Sequence, residues 1–167
     1  FMADGEVFGK TSDGVEVRRF TITGGGLTAH ILNWGATVQD LRLAGHDAPL
    51  VLGFDRFEYY PEHSSYMGAI AGRYANRIAN GQFAIDGKPY QADRNFLGKH
   101  TLHGGSHSYG KQIWEVADHG ADHVTLALHD PDGAMGFPGK LDVTCISRVA
   151  TGGTLSVDVA ATTDKPT

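Results

Sequence analysis

Apolar side chains recur at every second position along much of this chain. Val124, Leu126 and Leu128 alternate with Thr125 and Ala127, and Leu141, Val143 and Cys145 alternate with Asp142 and Thr144. This is the pattern of strands that bury one face and wet the other. The runs 141–149 and 155–159 flank Thr151-Gly152-Gly153-Thr154, whose glycines reach the positive φ angles of a tight turn, so a hairpin is predicted there. A second hairpin is predicted from Phe83-Ala84-Ile85 and Pro89-Tyr90-Gln91 about the turn Asp86-Gly87, and a third from 113–117 and 123–128 across residues 118–122. Nearer the N-terminus, 15–23 and 27–32 flank Gly24-Gly25-Gly26, and 36–43 and 50–53 extend the series of strands. The stretch 55–66 has room for a helical turn, but Pro61 and the cluster Phe57, Tyr59, Tyr60 favour an irregular loop. Turn signals at such short intervals, with few long helical candidates, predict an all-β fold, an antiparallel sandwich or barrel. No repeat, low-complexity tract or linker interrupts 1–167, which reads as one folding unit.

Composition narrows the partners. The net charge is −5, and the Lys and Arg residues are scattered rather than gathered into a stripe, which disfavours nucleic acid. No apolar run reaches the roughly 18 residues of a membrane span. Phe1-Met2-Ala3-Asp4-Gly5 lacks the basic-then-apolar order of an export signal, and Phe1 ahead of Met2 leaves the native start open. Cys145 is the single cysteine, so an internal disulfide and a Cys-rich zinc site are both excluded. A soluble protein of a reducing compartment is expected, cytoplasmic by preference and with the periplasm left open.

Few residues remain as candidates for chemistry. Asn76 and Arg77 adjoin each other in a stretch short of bulky side chains. A guanidinium fork beside an amide suits the vicinal hydroxyls of a sugar, whereas the plainer reading is a surface ion pair for Arg77 and a turn cap for Asn76. His103 precedes Gly104-Gly105, where a ligand can come close, and it is read either as a ligand contact or as a loop histidine bonded to backbone. His100, His103 and His107 have a spacing that would gather three imidazoles on a helix, but the glycines make that helix improbable, so no metal is expected. Ser106 beside His107 lacks a nucleophile elbow. Gly24-Gly25-Gly26 precedes no phosphate-binding helix and is read as a turn. The segment 130–139, rich in Gly and Pro, reads as a structured strand connection. Trp34, Trp114, Tyr74 and Phe137 can stack on a sugar, but each is assigned to the core, the usual place of aromatic side chains in a β-protein.

A set of ordered motifs then changes the weights. Asn33-Trp34-Gly35-Ala36-Thr37 and Leu50-Val51-Leu52-Gly53-Phe54-Asp55 are followed by Tyr66-Met67-Gly68-Ala69 and by Gly72-Arg73-Tyr74-Ala75-Asn76-Arg77-Ile78. Next come Gly81, Asp86-Gly87, Leu102-His103-Gly104-Gly105, Trp114, Asp132-Gly133, Gly136-Phe137-Pro138-Gly139 and the closing Ala161-Thr162-Thr163-Asp164-Lys165-Pro166-Thr167. Together they resemble the aldose 1-epimerases, or galactose mutarotases, over nearly the entire chain. Ala134-Met135 and Ser108 depart from the usual pattern and bear on substrate preference.

The resemblance implies an antiparallel β-sandwich of the galactose mutarotase type, of which this chain supplies about half, the N-terminal portion. It implies interconversion of the α and β anomers of a free aldose, galactose or glucose, without metal or organic cofactor. Asn76, Arg77 and His103 are carried over as substrate-binding residues. The family's general acid, a histidine, and its general base, a glutamate, have no counterpart here and are expected after Thr167. An open apolar face and exposed sheet edges are therefore expected, with a second polypeptide carrying the C-terminal half. The alternative is a non-catalytic carbohydrate-binding module.

Overall fold

The computed structural model describes residues 5–63 and 66–167. Along the chain, β1 (Glu6–Lys10), β2 (Glu16–Gly24), β3 (Leu27–Leu32) and β4 (Thr37–Leu43) pair in sequence order as one antiparallel sheet. A short helix α1 (Tyr59–His63) follows. Then come two small ladders made by β5 (Arg77–Ile78), β6 (Gln82–Ile85), β7 (Lys88–Gln91) and β8 (Thr101–Leu102), where β5 pairs with β8 and β6 with β7. The strands β9 (Glu115–His119), β10 (His123–Asp130), β11 (Leu141–Ala150) and β12 (Thr154–Thr163) form a second four-stranded antiparallel sheet.

The two large sheets face each other. Phe20, Ile22, Ala29 and Ile31 of the first meet Val124, Leu126, Val143, Cys145 and Val149 of the second, with Trp114 fully enclosed between them. Each such aliphatic side chain contributes about 1.5–3 kcal/mol by leaving water. A smaller cluster lies on the other face of the first sheet, where Val17, Leu32 and Trp34 are covered by Phe57 and Tyr60. The chain is therefore an antiparallel β-sandwich, one of the two architectures that its alternation allows and the one that the resemblance implies.

All three predicted hairpins form. Register along β11 and β12 runs from Leu141↔Thr163 to Ala150↔Thr154, and Phe83 faces Tyr90 across β6 and β7. In the third, pairing with β10 begins at Glu115 instead of Ile113, because Ile113 bridges Trp34.

Two expectations need correction. Residues 50–53 are not a strand: Leu50 N–H bonds to the Leu41 carbonyl at 2.8 Å, but a Cβ on Gly53 would lie 1.9 Å from the Gln39 carbonyl oxygen, so the chain lies on β4 at bare backbone distance. Within the predicted loop 55–66, whose residues 64 and 65 lie outside the described set, α1 forms after all. Pro61 falls in its first turn, where the missing N–H breaks no helical bond. Tyr60 is fully buried, and its hydroxyl accepts from the Phe54 N–H at 3.1 Å, which anchors the turn.

Candidate functional site

Asn76, Arg77 and His103 come together where β5 meets β8. Register sets Arg77 against Leu102 and Ile78 against Thr101, and one step outward Asn76 lies beside His103. There the ladder changes acceptor. His103 N–H donates to the Asn76 carbonyl at 2.8 Å, but the returning bond runs from Asn76 N–H to the imidazole Nδ1 of His103 at 3.0 Å. Both residues have positive φ, 62° and 49°, which ends the extended backbone and lets the ring stand where a carbonyl would. Asn adopts this region readily, but His does so at a steric cost that the surrounding contacts must offset. Leu97 and Met135 share the same backbone region nearby, at 53° and 50°.

The fit between the two loops requires glycine. A Cβ on Gly104 would sit 1.9 Å from the Gly72 carbonyl oxygen, so the turn after His103 touches the loop before Asn76 backbone to backbone. Beneath them, Ser106 donates from both its N–H and its hydroxyl to Asp93 Oδ2, each at 2.7 Å, and the Ser106 hydroxyl is the first cause that holds the Asp93 carboxyl below its usual range. That hydroxyl is committed to a carboxylate and is no nucleophile.

Burial of the His103 ring and, after it, the charge of Arg77 hold its pKa below the ordinary imidazole value. The ring is thus neutral at pH 7. Because Nδ1 accepts from the main chain, the proton sits on Nε2, which becomes a fixed hydrogen-bond donor. Tyr66 supports the ring, with centroids 4.3 Å apart, and Lys111 Nζ lies 5.2 Å from the Tyr66 centroid.

Arg77 donates from Nη1 to Asn76 Oδ1 at 2.8 Å, and its Cζ lies 4.6 Å from the Phe96 ring centroid. Among the described residues no carboxylate pairs with it, so its remaining N–H groups are available. Of the plainer readings, His103 is indeed bonded to backbone, but among the described residues Arg77 has no carboxylate partner, and the Asn76 Oδ1 is engaged by Arg77 rather than by a turn amide.

Arg73, quoted above only as part of a motif, points the other way. Its side chain and that of Asp130 are each 6 % exposed, with Nε 2.6 Å from Asp130 Oδ2. Its Nη1 also donates to the Pro138 carbonyl at 2.8 Å and to Thr167 Oγ1 at 2.7 Å. Tyr109 donates its hydroxyl to the same carboxylate at 3.2 Å, and burial, followed by the Asp130 charge, pushes its pKa well up. With Arg73 turned in, Tyr74 turns out: it is 54 % exposed, against the expected core position, whereas Trp34, Trp114 and Phe137 are buried. His100 accepts from the Asn80 N–H at 3.0 Å, and among the described residues no three His, Cys, Asp or Glu side chains gather as a metal site.

A model of the aldose 1-epimerase family matches residues 18–167. The chain belongs to the aldose 1-epimerase family. It is 37% identical over 144 residues to the aldose 1-epimerase of Haemophilus influenzae, covering 85% of this chain and 42% of that protein. It is 36% identical over 167 residues to the galactose mutarotase of Rattus norvegicus, covering 96% of this chain and 47% of the other. Among solved structures, an aldose epimerase homologue from C. elegans superposes with a TM-score of 0.82 at 33% identity, over 89% of this chain and 46% of that one. The galactose 1-epimerase of Lactobacillus acidophilus superposes with a TM-score of 0.81 at 25% identity, over 95% and 48%. This epimerase-family chain spans about half the length of the relatives it matches.

Reading the sequence alone missed Asn95, Phe96 and Asp130. The first two do carry a signal: Leu97-Gly98 between Phe96 and Lys99 is a two-residue turn, with φ of 53° and 62°. Asp130 has no local signal, because its partner lies 57 positions away.

Proposed function

We propose that this chain supplies the sugar-binding side of an enzyme that interconverts the α and β anomers of a free aldose, galactose or glucose. The observation that carries this reading is the convergence of Asn76, Arg77 and a neutral His103 at one end of the β5–β8 ladder. Anomer exchange needs a base to take the C1 hydroxyl proton and an acid to protonate the ring oxygen. The ring then opens, the C1–C2 bond rotates and closure on the other carbonyl face inverts C1. In this scheme the guanidinium of Arg77 and the Nε2–H of His103 donate to sugar oxygens, orient the ring and favour the negative charge that develops on oxygen. Asn76 holds Arg77 on one side and offers its amide group on the other.

The acid and base belong, in this proposal, to the half of the fold that the relatives have and this chain does not match. The face of β12 supports that arrangement. Val157 and Val159 project on the same side as Cys145 of β11 yet are 40% and 53% exposed. Polarimetry with α-D-galactose tests the scheme. The enzyme with both halves of the fold should speed mutarotation, and Arg77→Ala should lower its catalytic efficiency by about tenfold or more, the effect of removing a charged hydrogen bond worth roughly 1.5–3 kcal/mol. Unchanged efficiency would remove Arg77 from the site.

A second reading, a sugar-binding module without catalysis, is favoured by one observation. His103 spends Nδ1 on a main-chain amide and, among the described residues, bonds no carboxylate that would make it a base. Calorimetric binding of galactose with no acceleration of anomer exchange selects it.

A further inference from the structure

We propose that Phe96 is a positioning residue for Arg77, setting the plane in which the guanidinium meets a sugar. The inference rests on the proposed sugar-binding role of Arg77. The ring does not reach Arg77 by chance of a flexible loop, because the segment that carries it is pinned at three points. Asn95 acts as a substitute strand: its Oδ1 accepts from the Leu102 N–H at 2.8 Å and its Nδ2 donates to the Leu102 carbonyl at 2.9 Å. Leu102 is the residue that faces Arg77 in the β5–β8 ladder, so Asn95 and Arg77 flank the same position. A tight turn follows, closed by Lys99 N–H to the Phe96 carbonyl at 3.1 Å and by the Phe96↔His100 bridge. His100 is then tied to the Asn80 N–H through Nδ1 at 3.0 Å. The turn tip is left in water, with Leu97 80 % exposed, while Phe96 at its base is half-buried under Cζ of Arg77.

Two restraints then act on one planar group. Asn76 Oδ1 holds Nη1 at one edge, and the Phe96 ring lies against the group, its centroid 4.6 Å from Cζ. A guanidinium held this way loses less freedom when a sugar arrives, so the expected effect is on affinity. Since Arg77 has no carboxylate partner among the described residues, the ring is the group that orients it without neutralising it.

The test uses the enzyme with both halves of the fold and D-galactose as probe, read by NMR titration together with the Arg77 Nε–H resonance. Phe96→Leu, and pentafluorophenylalanine at position 96, which keeps the shape but reverses the ring quadrupole, should each raise the galactose Kd about two- to fivefold. In Phe96→Leu the Arg77 Nε–H resonance should also move as the ring current is lost, and Phe96→Tyr should restore both signals. If Phe96→Leu and the fluorinated ring leave the Kd at the parent value while Arg77→Met weakens binding, the positioning role of Phe96 is overturned and the sugar site stands. If Arg77→Met also leaves the Kd unchanged, the sugar-binding role of Arg77 falls, and this inference with it.

Discussion

His103 serves two functions with one ring because the main chain, not another side chain, decides which nitrogen carries its proton. The Asn76 N–H occupies Nδ1, so the proton sits on Nε2. Protonation at Nδ1 would break that bond. The folded-state pKa lies below 6.5 through burial and the Arg77 charge, so between the folded value and 6.5 the unfolded chain holds more protons. Stability therefore rises with pH across that window, and this contribution is lost as the pH falls through it. In an NMR titration, the His103 Cε1 shift should report a pKa under 6.5, and the Asn76 amide should move at the same midpoint. An Asn76 amide indifferent to that titration would disprove the bond. At this scale the sequence itself sets Asn76 beside Arg77, whereas the approach of His103 to them comes from the β5–β8 pairing, which no local pattern shows. Nor was the sequence legible for Tyr74, whose direction is set by its neighbour Arg73 turning inward to a distant carboxylate.

Long alternating segments read well as elements because burial of a whole face repeats the same signal several times, as in β11, where every second residue from Leu141 to Val149 is buried. The strands β5 and β8 have two residues each, too short to show any period, and they exist because loops on both sides hold them. The helix α1 was weighed and set aside for a loop for the opposite reason: Pro61 is a breaker only beyond the first turn. The β9–β10 hairpin carries a further device. His123 lies between two carboxylates, Nδ1 2.6 Å from Asp122 and Nε2 2.9 Å from Asp118, with Arg148 of β11 on Asp122 at 2.9 Å. The bond to Asp122, then that to Asp118, raises the His123 pKa, against the nearby Arg148 charge. The folded form thus binds the proton more tightly. Its contribution is complete below 6.5 and is lost as the pH rises through the raised value. Hydrogen-exchange protection of Val149 N–H, which donates to the Asp122 carbonyl at 2.9 Å, should fall over that rise in the parent and stay level in His123→Gln.

For the molecule as a whole, the all-β class and three hairpins were expected from the pattern and the sandwich from the resemblance, whereas the contacts that tie the site loop to the second sheet were not, since they join residues far apart in sequence. The buried pair Arg73–Asp130 is the strongest of these. Removing one partner leaves the other charged and dry, which typically costs about 3–5 kcal/mol. Asp130→Asn should lower the urea midpoint accordingly, while Tyr109→Phe, which deletes one hydrogen bond to the same carboxylate, should cost only about 1 kcal/mol. Equal losses in the two variants would mean that the pair is not the main tie. Arg73 also has a mechanical meaning. It stands three residues before Asn76, and its guanidinium reaches Thr167, 94 positions along the chain. The loop that carries Asn76 is thereby coupled in series with the segment that leaves β12, and a load placed on that segment passes to the loop through a single rigid planar group.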